Sequence, residues 1–173
     1  MEVVLSYGKT GLPVELPDDN VTVVRPVFVP GLDDQRGAVA DALEHPIGRP
    51  ALKDMVRPSD TVAVVFCDAT RPVPSKLILP VLLGELESAG VERDQVVLIN
   101  ALGTHRPSPP RELVELLGED LVREYRIVQH DCNDRTAMAL AGRLSTGQEL
   151  WENRDYLNAD FKIKTGSIET HVL

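Results

Sequence analysis

The run Thr61-Val62-Ala63-Val64-Val65-Phe66 constrains the fold more than any other stretch of this chain. A strand with one wet face alternates polar and apolar side chains. A nearly uninterrupted apolar run of this length, rich in β-branched residues, reads instead as a strand covered on both faces, the usual state in a parallel sheet. The pattern recurs in Gln95-Val96-Val97-Leu98-Ile99-Asn100 and in Arg126-Ile127-Val128-Gln129. Helical stretches separate the three: Lys76 to Gly90, with an apolar first half, and a second helix after Ser108-Pro109-Pro110 that Gly118 ends, continued by Glu119 to Glu124. Alternation of this kind predicts right-handed crossovers and an α/β, Rossmann-like open sheet with a parallel centre over residues 60–130.

The flanks read differently. Glu2 to Tyr7 and Leu12 to Leu16 bracket the turn signal Gly8-Lys9-Thr10-Gly11, which suggests an antiparallel N-terminal hairpin, and Val21 to Val24 suggests a third strand. Asp33-Asp34 suits the start of a helix running to Glu44, whose apolar stripe is Ala38, Val39, Ala42 and Leu43. Ala51 to Met55 makes a short helical segment. Pro80 should bend its helix or shift its start, and Gly90 should terminate it. Ser108 is placed to cap the next helix, with Pro109 in its first turn. Met138 to Leu144, Gln148 to Glu152 and Phe161 to Lys164 read as short C-terminal strands.

With 173 residues the chain has room for one α/β domain with a real core. Its formal net charge of −9 argues against nucleic acid as a partner, because phosphate binding needs clustered Lys and Arg, but leaves room for a local pocket for a small anion. No run of about 18 apolar residues is present, so no membrane span is expected. Met1-Glu2-Val3-Val4-Leu5 lacks the features of a secretion signal, and Cys67 and Cys132 read as reduced thiols, which together point to the cytoplasm. GxGxxG, Walker A and HExxH patterns are absent.

Chemistry is concentrated where the buried strands end. Open α/β sheets bind ligands in the crevice beyond the carboxyl ends of their strands. Phe66-Cys67 runs into Asp68-Ala69-Thr70-Arg71-Pro72, the next strand into Gly103-Thr104-His105-Arg106, and the third into His130-Asp131. Asp68 and Arg71 make either an ion pair at a helix start or a site for a carboxylate, which the planar guanidinium fork binds through two hydrogen bonds. His105 follows Gly103-Thr104, so its imidazole should enter the crevice, where it could take or give a proton near neutral pH, or simply brace a loop. His45 reads as a surface or capping residue, His130 beside Asp131 as a loop-orienting pair, and His171 as a residue near the last position, Leu173. A metal-dependent hydrolase built on His105, His130 and Asp68 is a further reading of the same residues.

Taken in order, His45-Pro46-Ile47-Gly48, Asp68-Ala69-Thr70-Arg71-Pro72-Val73-Pro74, Ala101-Leu102-Gly103-Thr104-His105-Arg106, Ile127-Val128-Gln129-His130-Asp131 and Gly166-Ser167-Ile168-Glu169-Thr170-His171 resemble the N-terminal domain of the lactate racemase family, the nickel-pincer-nucleotide-dependent racemases and epimerases. The likeness spans nearly the whole chain. It implies that the parent protein is a two-domain isomerase acting on a 2-hydroxy acid, with a nickel-pincer nucleotide as hydride acceptor. It also implies that His105 and His171 transfer the hydroxyl proton on opposite faces of the substrate. Arg71, with Asp68 and Thr70 of the same motif, would hold the substrate. The family's anchoring lysine and nickel-ligating histidine fall after the position of His171, and a C-terminal domain covers the cofactor. The expectations are therefore that the anchoring lysine lies after Leu173, that no metal ligand lies within this chain, that its cofactor-binding residues are unknown, and that it is inactive alone. The alternative is a non-catalytic module for a small anion or cofactor.

Overall fold

The computed structural model describes residues 1–25 and 27–168. They fall into two compact units, residues 1–31 and the chain from Leu32 onward. In the first, β1 (Glu2–Leu5) pairs antiparallel with β2 (Leu12–Glu15), Leu5 opposite Leu12, and Gly11 N–H bonds Tyr7 O at 3.0 Å across the turn. This is the hairpin the sequence suggests. Val21 to Val24 is not the third strand expected from it: the segment is irregular and Val24 is 89% exposed. A β-branched run has strand propensity, but a strand forms only where an edge accepts its hydrogen bonds.

The second unit is built on a four-stranded parallel sheet. Its strands are β3 (Val62–Cys67), β4 (Val96–Ala101), β5 (Arg126–Gln129) and β8 (Phe161–Lys164), in spatial order β5-β4-β3-β8. The parallel centre over residues 60–130 is as expected. The tail holds two surprises. Phe161–Lys164 is the edge strand of the parallel sheet, beside β3, and its entry is clasped by Thr61, whose backbone N–H and hydroxyl both donate to Asp160 Oδ2 at 2.9 and 2.7 Å. Between the antiparallel pair β6 (Met138–Arg143) and β7 (Glu149–Asn153) and this strand lies a short helix, α6 (Arg154–Asn158). Asn153 caps it by accepting from Tyr156 N–H at 3.1 Å.

Helices cover one face of the sheet. α1 (Gln35–Glu44) is capped by Asp34, which accepts from Gly37 N–H at 2.8 Å, and α2 (Leu52–Met55) follows. α3 (Ser75–Ser88) buries Leu79, Leu82, Leu83 and Leu86, the i, i+3, i+4, i+7 stripe of a helix that faces a core. Pro80 sits inside α3 without ending it. The carbonyl it deprives of a partner is that of Lys76, an exposed position where water can serve instead. Gly90, at φ +92°, closes the helix in the left-handed region that favours glycine. Gly118 separates α4 (Pro110–Leu117) from α5 (Glu119–Glu124).

These helices and the β3 and β4 side chains Val62, Val64, Phe66 and Leu98 form the main core. The opposite face, Ala63, Val97 and Ile99, is covered chiefly by Ala159, with Val65, Val128 and Tyr156 only partly buried. No helix among the described residues is long and apolar enough to cross a membrane.

Candidate active site

The parallel register places Cys67 opposite Ala101, so β3 and β4 end level with each other. Each then folds at once into a tight turn. Arg71 N–H bonds Asp68 O at 3.2 Å, and His105 N–H bonds Leu102 O at 2.9 Å. Asp is favoured in the first position of such a turn. The second turn depends on Gly103, at φ +57°, a conformation that costs an L-residue about 1–2 kcal/mol. Buried Val73 and Leu102 pin the two loops to the core. The strand ends thus bring residues 34 or more positions apart onto one rim for reasons of register and turn chemistry.

At that rim Asp68 is 6% exposed, and its carboxylate takes a hydrogen bond at each oxygen. His105 Nδ1 lies 2.6 Å from Oδ2, and Thr70 Oγ1 donates to Oδ1 at 2.7 Å. Burial opposes the charge. The hydrogen bonds from His105 and Thr70 and the attraction of the imidazole outweigh it and hold the carboxyl below the ordinary carboxylate range. An ionised carboxylate can only accept, so Nδ1 carries a proton; in the neutral form of the ring the lone pair is then on Nε2.

A cavity of about 280 Å³ opens beside this pair, and Arg71, Cys67 and His105 share its wall with Gly103 and Thr104. Asp68 and His105 also line a second cavity, of about 230 Å³, together with Thr70, Arg106, Ser108 and Glu112. Arg106 does not line the cavity that holds Arg71: it forms a two-point ion pair with Glu112 at 3.0 and 3.1 Å.

The loop carrying His105 is held by a set of side chains that sequence reasoning missed. Ser108, expected as a helix cap, is not one; Pro109 occupies the cap position and Pro110 the first turn. Ser108 is instead drawn into the interior, at 4% exposure. Gln129 Oε1 accepts from its N–H at 2.6 Å, Gln129 Nε2 donates to its carbonyl at 2.9 Å, and Asn100 Nδ2 donates to its hydroxyl at 3.3 Å. Polar side chains closing the otherwise apolar runs of β4 and β5 were the available signal.

Of the expected site residues, Asp68, Thr70, Arg71 and His105 come together. His130 does not join them. It lines a cavity of about 270 Å³ with Val65, Ile99, Trp151, Tyr156 and Lys164, on the thinly covered side of the sheet, which meets the Arg71 cavity at Ala101 and Gly103. The trio His105, His130 and Asp68 is therefore not a metal site, and among the described residues no three His, Cys, Asp or Glu side chains are grouped to hold a metal ion. His45 sits at the exposed end of α1, its Nδ1 3.1 Å from Asp41 Oδ1. His171 lies outside the described residues.

Comparison with known proteins bears on these motifs. Residues 7–173 match the family model described as the lactate racemase N-terminal domain. Lactate racemases from Lactiplantibacillus plantarum and Thermoanaerobacterium thermosaccharolyticum are each 33% identical over 170 residues, covering 96% of this chain and 40% of their own. The lactate racemase apoprotein structure from T. thermosaccharolyticum aligns with a TM-score of 0.75 at 31% identity, over 95% of this chain and 38% of that one. A Thermotoga maritima protein shares the fold alone, with a TM-score of 0.60 at 21% identity over 79% of this chain and 34% of its own. The chain thus spans about two fifths of the length of the curated relatives it matches.

Proposed function

Because this chain belongs to the lactate racemase N-terminal domain family, we propose that it is the substrate-side part of a two-domain 2-hydroxy acid racemase or epimerase. The observation that carries the reading is the 2.6 Å contact of His105 Nδ1 with buried Asp68, on the wall of a cavity that Arg71 also lines.

Each residue then has a part. Arg71 receives the carboxylate of the acid, and a two-point grip of that kind sets which face of Cα is presented. Where the Cα hydrogen leaves as hydride, the hydroxyl proton must leave too, which gives the 2-keto acid, and both must return to complete the inversion. His105 takes that proton at Nε2, since Nδ1 is committed to Asp68. Asp68 holds the ring and steadies the imidazolium once formed. Thr70 belongs to the same motif. His171 is assigned the equivalent role on the opposite face, by family likeness. The family's hydride acceptor is a nickel-pincer nucleotide. Among the described residues no three His, Cys, Asp or Glu side chains are grouped to hold a metal ion, and in the family the nickel ligand falls after the position of His171. The chain alone is accordingly expected to bind a 2-hydroxy acid without inverting it.

The test is calorimetric titration of the chain with L-lactate. Arg71→Met should weaken binding by roughly tenfold or more, the loss expected for a charge-assisted hydrogen-bond pair. Equal affinity of the variant and the wild type would refute the site. A second reading, an acid-binding module without catalysis, draws on the same lack of metal donors. It is favoured if the complete gene product, supplied with the pincer nucleotide, binds lactate but forms no D-lactate from L-lactate.

A further inference from the structure

The two oxygens of Asp68 are occupied by different donors, and only one of these is the proposed proton acceptor. His105 Nδ1 holds Oδ2, and Thr70 Oγ1 holds Oδ1. Thr70 is otherwise an exposed residue, so the part of it turned inward is its hydroxyl. The terminal torsion of an aspartate is soft, with a broad two-fold profile. One donor by itself leaves the carboxylate able to rotate beneath it. A second donor on the far oxygen fixes the plane.

We propose that Thr70 is a positioning residue: by occupying Oδ1 it reserves Oδ2 for His105 Nδ1–H, and so holds the imidazole in the single tautomer whose lone pair is on Nε2. This rests on the reading of His105 as the proton acceptor. It moves Thr70 from contact with the acid to action through Asp68. Geometry supports it in a second way. Asp68 lies between two cavities, with Arg71 on one side and Thr70 on the other. Thr70 is absent from the wall that Arg71 lines and present on the wall of the second cavity, while Asp68 and His105 line both. Its hydroxyl also helps to keep a buried carboxylate ionised against the pull of burial. A carboxylate lacking that donor is a stronger base and a less well aimed one.

A purely local role is the competing explanation, because Thr70 lies two residues from Asp68 in a turn closed by Arg71 N–H. The two differ in what the imidazole reports. Nitrogen-15 NMR of the His105 ring in the 173-residue chain, followed across pH, reads the tautomer directly. In the wild type Nδ1 should carry the proton. Thr70→Val should raise the minor tautomer by about fivefold, the ratio corresponding to one lost hydrogen bond of about 1 kcal/mol. It should also move the Asp68 carboxyl titration upward, while Thr70→Ser should match the wild type in both. If valine disturbs the turn, Thr70→Ala makes the same measurement. An unchanged tautomer ratio in a folded Thr70→Val or Thr70→Ala chain overturns the proposal, and so does a serine variant that behaves like valine. Failure of the racemase reading is separate. It would show as lactate affinity indifferent to Arg71, whatever the ring nitrogens report.

Discussion

The two faces of the four-stranded sheet carry different kinds of site. On the helix-covered face Val62, Val64, Phe66 and Leu98 are each 0% exposed, and the next residue with the same facing along β3 is Asp68. On the other face only Ala63, Val97, Ile99 and Ala159 are buried, and Val65, Val128 and Tyr156 are partly open. A densely packed face can hold a carboxylate and an imidazole in one geometry, because the strand ends beneath them cannot shift without opening the core. A thinly covered face forms a cavity without such support. The contrast suggests why the Asp68–His105 pair, and not His130, has the order a proton-transfer site needs.

The largest test of that contrast is a pair of core truncations. Phe66→Ala should cost about 3–5 kcal/mol in urea unfolding, the range for a fully buried aromatic. Val65→Ala, one residue away but facing the thin side, should cost about 1 kcal/mol, since two partly exposed methyl groups are lost. Equal losses would erase the distinction between the faces. Next in size is Gln129→Ala. It removes both hydrogen bonds to the Ser108 backbone and should cost about 2 kcal/mol. Because that backbone continues into the His105 loop, broadened His105 resonances should accompany the loss. A stable variant with an unaffected His105 would disconnect the network from the site.

These positions also mark what could be read without coordinates. The uniform apolar runs at Val62 and Val96 announce strands covered on both faces, and the apolar first half of Lys76 to Gly90 announces a helix between them. Asp68, Arg71 and His105 could be placed on one rim because parallel strands of matched length end together. Whether Asp68 holds the Arg71 fork or orients a histidine was open in the sequence, and its Thr70 donor was not legible, since a carboxylate chooses its donors by distances of tenths of an ångström. Ser108 was misplaced for a related reason. A serine before two prolines has the local signature of a cap, and only the side chains of Asn100 and Gln129, distant in sequence, draw it inward. Phe161–Lys164 reads as any short strand; its place beside β3 is decided by the clasp of Thr61 on Asp160, 99 residues apart.

Acid should sharpen the contrast at a smaller scale. The folded state holds the Asp68 carboxyl below its ordinary range. A group depressed in this way adds stability at pH values above its unfolded pKa, about 3.9, and that contribution is lost as pH falls through the folded value. Asp68→Asn cannot titrate. The wild type should therefore exceed it by about 1 kcal/mol at neutral pH, and the gap should close below about pH 4 in acid-dependent urea titrations. A gap that persists unchanged to low pH would mean that packing, not charge, makes the difference.

The smallest effect is expected at His130, and it is the most direct comparison of the two faces. Its backbone N–H bonds Asn100 O at 3.1 Å, a contact that any residue but proline retains. Its imidazole lines the cavity walled by Trp151 and Tyr156, which meets the cavity of Arg71 and His105 only at Ala101 and Gly103. His130→Ala should thus change stability by no more than about 0.5 kcal/mol and leave lactate affinity and the His105 ring titration unchanged. Trp151, the only tryptophan in the chain, serves as an internal control, because its emission reports on the altered cavity even where acid binding does not. The opposite result, a folded His130→Ala chain that has lost lactate, would mean that the two cavities act as one compartment joined through Gly103, which borders both. The packing difference between the faces would then no longer explain which imidazole does the chemistry.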